Sequence, residues 1–337
     1  MDAGGGLEGR GQHLRQELPR RRPGGRHHGP PGRRAAHLRD ERHSEEQAKL
    51  YSDIVKSVSE EPSRLSGNSF MSDSMGQISA EYMADIHRGL RAGEVGEEKL
   101  YPITGAAASF SEQDLTRFLY TVGQNPEGYA AVSVGQHAYT AGMLEYHFAH
   151  PDAFVDEKGN TPAQNLEKAT SPIAQNAGEI QGMLGAGRAY AAELDAGNKD
   201  AEFNDAITKA GELGESLVGI GVGVGTASMV GPGGVIAGGV AETVAGEIIG
   251  GLTDGLMKDS SGEVIYRNGE EINATRESTF TLVEKAAQES EKKAGVSYPS
   301  VVSSIAQQTE AGFTSAHTNI RDYCEGVGVP NALEKDK

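Results

Sequence analysis

From about Glu45 onward, apolar residues recur at helical spacing. In Glu45–Glu60 the residues Leu50, Ile54 and Val58 fall four apart, which predicts a polar helix with one apolar face, ended by Pro62. After a Ser/Gly/Asn loop, Met75, Ile78, Tyr82, Ile86 and Leu90 mark an amphipathic helix that fades near Gly93. The stretch GEVGEEKLYPITGAAASF reads as a linker. Ser111 with Asp114 forms a capping pair for a helix carrying Leu115, Phe118, Leu119 and Val122. Asn125 and Pro126 suit the N-cap and first turn of the next helix, with Tyr129, Val132, Gln136, Tyr139 and Met143 on its buried side and Pro151 closing it. Thr161 and Pro162 repeat that chemistry and open a long Ala/Gln/Glu-rich region running to Ala196, where Pro172 predicts a disturbance and Gly197-Asn198 a break. Two further helices are expected over about Asn273 to Ala294 and Pro299 to Cys324, preceded by a short β-hairpin turning at Asn268-Gly269.

Ser216 to Met257 departs from this texture. Between Glu215 and Glu242 there is no charged residue, and so apolar a run needs burial in the chain's own core, in a partner or in a bilayer. Gly231-Pro232-Gly233-Gly234 is a turn signal, so the run reads as a helical hairpin. Gly219 and Gly223, Gly221 and Gly225, Gly234 and Gly238, and Gly246 and Gly250 lie four apart, placing small residues on one face of each arm, where backbones can approach closely. Gly219, Gly223, Gly225, Pro232, Gly234, Gly238, Gly246 and Gly250 are therefore the residues expected to serve hairpin packing or membrane insertion. The first arm, Leu217 to Val230, would reach only about 21 Å against a hydrocarbon core of roughly 30 Å. The second arm is longer but carries Glu242, Glu247 and Asp254, each costing roughly 2.5 to 3.5 kcal/mol at mid-membrane if charged. Packing inside a helical core is the favoured reading. Conditional insertion, with these three acids as pH-sensing groups, is the alternative.

Charge divides the chain. Residues 1–43 hold ten Arg against five acids, and the total of −17 leaves the remainder at −22. An acidic body repels phosphate backbones, which argues against a nucleic-acid partner. The Arg/Gly/Pro-rich residues 1–43 cannot bury apolar surface and are expected to be disordered; their GC-rich-codon composition also fits a misassigned start. They lack the apolar run of a signal peptide, so the expectation is a cytoplasmic protein, or an exported one without a recognisable leader. Trp is absent and Gly reaches 46, which points to a core of close helix contacts rather than bulky rings. Cys324 is the sole cysteine, excluding an internal disulfide.

Candidate chemistry is sparse. His147 and His150, with Glu145 nearby, sit three apart on a helix, but a metal site needs further converging ligands and His137 falls on a different face. A helix-end pair favourable to the dipole when protonated is the better reading. The glycines from Gly219 to Gly225 match neither G-x-G-x-x-G nor a GK[ST] loop, and no G-x-S-x-G occurs. Cys324, near Arg321 and His317, reads as a lone surface or interface thiol rather than a reactive one. No cofactor, metal, catalytic residue or small-molecule substrate is indicated, and the chain is expected not to be an enzyme.

The blocks LYPITGAAASF (Leu100 to Phe110) and TRFLYTVGQNPEGYAAVSVGQHAYTAGMLEYH (Thr116 to His147), with the glycine-rich run, resemble large uncharacterised all-helical proteins of filamentous actinobacteria. Some of these are similar in build to substrates or toxin chassis of type VII secretion. The resemblance spans roughly Glu45 to Cys324 and implies a helical interaction or delivery module without an assigned activity. The Trp-X-Gly turn of secreted helical hairpins is missing, and the Tyr-x-x-x-acid match, Tyr266 to Glu270, falls at a turn rather than behind a helix pair.

The expectation is thus an all-α, elongated helical bundle: a disordered segment 1–43, a helical region 44–150, a bundle 151–325 holding the hairpin 216–257, and a flexible tail 326–337. Its expected role is a non-enzymatic scaffold or protein-interaction module, with a protein partner or self-association, and with a membrane-inserting, pore-forming-like protein as the alternative.

Overall fold

The computed structural model describes residues 43–66, 71–103, 105–155, 158–194, 202–203, 205–210, 244–249 and 270–325. Among them the fold is all-α, its β pairing confined to an isolated bridge between His43 and Gly105. The expected β-hairpin before residue 270 and the tail 326–337 lie outside the described residues.

Helix starts follow local chemistry. Helix α1 (Glu45–Glu60) opens with a capping box, the Ser44 hydroxyl accepting from the Gln47 amide at 3.2 Å while the Gln47 side chain accepts from the Ser44 amide at 2.8 Å. Short α2 (Ser63–Ser66) follows Pro62, and the expected helix over Met75 to Leu90 is two, α3 (Ser72–Glu81) and α4 (Met83–Gly89), jointed at Tyr82. After α5 (Glu97–Leu100), helix α6 (Glu112–Val122) starts where the Ser111 hydroxyl accepts from the Asp114 amide at 3.1 Å. Helix α7 (Pro126–Ala149) starts at Asn125, whose side-chain oxygen accepts from the amides of Glu127 and Gly128, both at 3.1 Å. Asn125→Ala should therefore lower stability by about 1 kcal/mol, read as a shifted urea midpoint at unchanged slope.

Helix α8 (Pro162–Leu194) continues through Pro172 instead of breaking there. Proline removes one intrahelical bond, but Leu166, Ala169, Ile173, Ala174 and Ala177 on either side of it are all fully buried, and their packing holds the helix together. Helices α9 (Glu270–Ala294) and α10 (Pro299–Glu325) complete the described chain.

The buried face of α1 keeps two of its three expected residues, Val58 buried and Ile54 half-buried against the core, but is turned away from Leu50. Leu50 is 60% exposed, whereas Ala48, Tyr51, Val55 and Val58 are buried. Tyr51 decides the rotation: its ring sits 4.4 Å from Tyr82, 5.4 Å from Phe110 and 6.2 Å from Phe118, and its hydroxyl donates to Ser79 at 2.9 Å. A ring that buries its body and satisfies its hydroxyl outweighs one leucine. The supposed linker is likewise packed, with Leu100, Tyr101 and Ala108 buried.

Helices α7 and α8 form the centre and are buried nearly all round rather than along one stripe. Helix α3 packs on α7, α1 on α6, and α9 on both central helices; α8 pairs most extensively with α10. Glycine makes that last contact close. A Cβ at Gly178 would lie 1.9 Å from the Thr309 carbonyl oxygen, and one at Gly312 would lie 1.9 Å from that of Gln175. Gly182 faces Phe313 and Ala316, so the register advances in the same direction on both helices and the two run parallel. The expectation of close helix contacts therefore holds at this interface, but bulky rings also fill the core, among them Tyr51, Tyr101, Tyr120, Tyr139, Phe118 and Phe148.

Candidate functional site

Four elements bring polar side chains together in the apolar interior. Helix α4 and the turn after it carry Asp85, His87 and Arg91, the following segment carries Tyr101, α8 carries Asn176 and Glu179, and α10 carries Asn319. Asn176 accepts from Arg91 Nε at 2.7 Å and donates from Nδ2 to the His87 carbonyl oxygen at 2.8 Å and to the Tyr101 hydroxyl at 3.2 Å. Arg91 also lies 3.8 Å from Glu179 and 3.2 Å from Glu94. Asn319 Nδ2 donates to Glu112 at 2.7 Å and to Glu179 at 3.0 Å. The result is a polar seam from the exposed rim at Glu94 and Glu112 to the fully buried His87.

Burial dominates its protonation. It pushes the Glu179 carboxyl up to about 7 against the opposing pull of Arg91, and the Asp85 carboxyl up to about 7 although the Ala108 amide donates to it at 2.6 Å. The His87 ring, 4.8 Å from Tyr139 and 5.4 Å from Tyr101, is driven down to about 3 by burial, with Arg91 acting in the same direction. Neither of its ring nitrogens has a hydrogen-bond partner, nor has the Tyr139 hydroxyl. Two carboxyls titrating near neutrality are what acid–base chemistry would need. Each is nevertheless tied into the fold, Asp85 to the segment at Ala108 and Glu179 to α10 through Asn319. A second buried tie joins α7 to α8: Ser133 donates to Gln181, Gln181 to Gln136 and Gln136 to Thr140, at 3.2, 2.8 and 2.9 Å.

Of the residues singled out from sequence, Gly219, Gly223, Gly225, Pro232, Gly234, Gly238, Gly250, Glu242 and Asp254 lie outside the described residues. Gly246 and Glu247 lie in the helical segment 244–249, Gly246 half-buried and Glu247 exposed. Glu247 is close enough to Lys292 of α9 to help raise its pKa, after the larger effect of Glu289. The histidine pair divides. His150 caps α7, exposed and stacked on Tyr146, and so fits the helix-end reading. His147 does not, because its ring is buried without partners and burial lowers its pKa to about 3, so it stays neutral instead of meeting the dipole as a cation. Among the described residues no group of three or more His, Cys, Asp or Glu could hold a metal ion, and no helix is long and apolar enough to cross a membrane. The Cys324 side chain lies outside the described residues.

The buried histidines set an acid limit. Burial holds His87, His137 and His147 at about 3, so between there and the ordinary imidazole value the unfolded chain takes up protons that the native one does not. Their stabilising share is complete above about 6.5 and is lost as pH falls. Asp85 and Glu179 act oppositely, since the native state holds their protons up to about 7 and loses stability as pH rises from about 4. With His317 likewise lowered to about 4 by burial, four histidines outweigh the two acids, so stability falls as pH drops below about 6. Urea midpoints between pH 4.5 and 8 should peak near 6.5 to 7, and His147→Phe should flatten the acid limb.

Compared with protein-family models, curated proteins and solved structures, the chain matches none of them.

Proposed function

We propose that the chain is a non-enzymatic helical scaffold that works through association with a protein partner or with a second copy of itself. The observation that supports this most is the use made of the buried polar groups. Arg91, Asn176, Glu179 and Asn319 bind one another across helices, and Gln136 and Gln181 join the two central ones. Hydrogen bonds that cross between helices in this way favour one arrangement of the helices, as a rigid interaction platform requires, although Arg91 Nη2 and the His87 ring stay without hydrogen-bond partners. A delivery role in secretion, implied by the resemblance to actinobacterial helical proteins, would use the same rigid body. Sedimentation velocity of the full chain from about 1 to 100 μM is expected to show reversible self-association; a monomer throughout would remove that arm and leave a heterologous partner.

The membrane-inserting alternative has its own motive in the charge-free residues 216–241. Co-sedimentation with anionic and neutral vesicles at pH 7 and pH 5, beside Gly223→Glu, separates the readings. Binding at pH 5 that the variant abolishes would favour insertion. No binding under any of these conditions would exclude it.

A further inference from the structure

The segment 244–249 is far in sequence from α7 yet is hydrogen-bonded to it. Glu145, near the end of α7, accepts from the Val244 amide at 3.0 Å through one carboxylate oxygen and lies 2.8 Å from Lys293 of α9 through the other. One carboxylate thus joins three pieces of chain. Its side chain is only 15% exposed and that of Lys293 43%, so the pair is sheltered on the acidic side and solvated on the basic side. Within the segment, Val244, Ala245, Ile248 and Ile249 are buried in the main core, while Glu247 is exposed on the side of Lys292. On its own helix the next titratable neighbours are Tyr146 and the neutral, buried His147.

A six-residue helical segment cannot hold itself in place, because helices shorter than about 12 residues are marginal in water. Its four buried apolar side chains and this carboxylate help hold it in position. Removing the carboxylate takes the acceptor from the buried Val244 amide, and a buried donor without a partner is costly.

We propose that Glu145 is a latch that, together with the buried apolar side chains, holds segment 244–249 as a strap across α7 and α9 and so helps keep the strap's apolar face and the surface beneath it covered. Glu145 acts as a positioning residue through Val244 and Lys293. The latch stands whether the chain serves as a scaffold or acts on membranes.

The test is amide hydrogen exchange on the full chain for the parent, Glu145→Ala, Glu145→Gln, Lys293→Met and the double variant Glu145→Ala/Lys293→Met. Glu145→Ala should speed exchange across 244–249 at least tenfold while leaving residues 173–189 of α8 unchanged. Glu145→Gln keeps an acceptor for Val244 but loses the ion pair, and should fall between parent and alanine. In the double variant the combined effect should be smaller than the sum of the two single effects, since both changes remove the Glu145–Lys293 pair. An anilinonaphthalene sulfonate dye should bind Glu145→Ala more strongly than the parent. Unchanged exchange over 244–249 in Glu145→Ala, acceleration spread equally through α8, or dye binding equal to the parent would each overturn the latch.

Discussion

Gly178→Ala is expected to destabilise the protein by about 3 kcal/mol or more. In an ordinary helix interior the same change stabilises by up to about 1 kcal/mol, because alanine is the better helix former. At this position the added methyl would meet the Thr309 carbonyl oxygen at 1.9 Å and the Phe313 amide nitrogen at 2.9 Å. Both are main-chain atoms, so no rotamer change relieves the overlap and the two helices must separate along their length. Gly312→Ala should behave alike, facing the Gln175 carbonyl oxygen at the same 1.9 Å. Gly185→Ala is the milder comparison: its neighbours are the Thr275 methyl at 3.0 Å and Cβ at 3.2 Å, which need to give only a few tenths of an ångström, so its cost should be well below that of Gly178→Ala. Urea midpoints of the three variants measure this series. Gly178→Ala as stable as the parent would mean that α8 and α10 are not in such contact.

Arg91→Met is expected to cost about 3 kcal/mol at pH 8 and distinctly less at pH 6. Methionine fills the volume but leaves Glu179 buried with one attractive charge fewer and Asn176 without its donor. Glu179 already holds its proton to about 7 in the folded state, above the ordinary carboxyl value, so its ionisation works against folding as pH rises through that range. Without Arg91 the opposition grows, and the gap between parent and variant widens with pH. A second change, Glu179→Gln, should recover much of the loss at pH 8 and little at pH 6. A penalty independent of pH would mean that Arg91 contributes packing alone.

Much of the fold was legible because its signals are local. Ser111, Asn125-Pro126 and Thr161-Pro162 place helix starts by chemistry confined to four residues, and each cap forms as expected. The face of α1 was only partly legible, because Leu50 and Tyr51 both offer an apolar stripe and only Tyr82, Phe110, Phe118 and Ser79, from other parts of the chain, choose between them. The polar seam was hidden for the same reason. Asn176 and Glu179 look like ordinary surface residues of a helix until α10 and the turn after α4 close over them. A signal did exist for the tightest interface: Gly178 and Gly182, like Gly312 and Ala316, lie four apart, the spacing noticed in residues 219–250. It was outweighed there by the density of glycine, since a rare glycine in a good helix former says more about close approach than many in a row.

The parallel pairing of α8 and α10 also constrains how the chain reaches its fold. Glu179 and Asn319, linked through one hydrogen bond, stand 140 residues apart. Closing so long a loop costs chain entropy before any contact repays it, so this bundle should fold more slowly than helical proteins whose neighbours in space are neighbours in sequence. Synthesis sharpens the delay. The glycine face of α8 is made in mid-chain and has no cover until the last described helix is complete, so a nascent or truncated chain lacking α10 presents that bare face to chaperones and proteases.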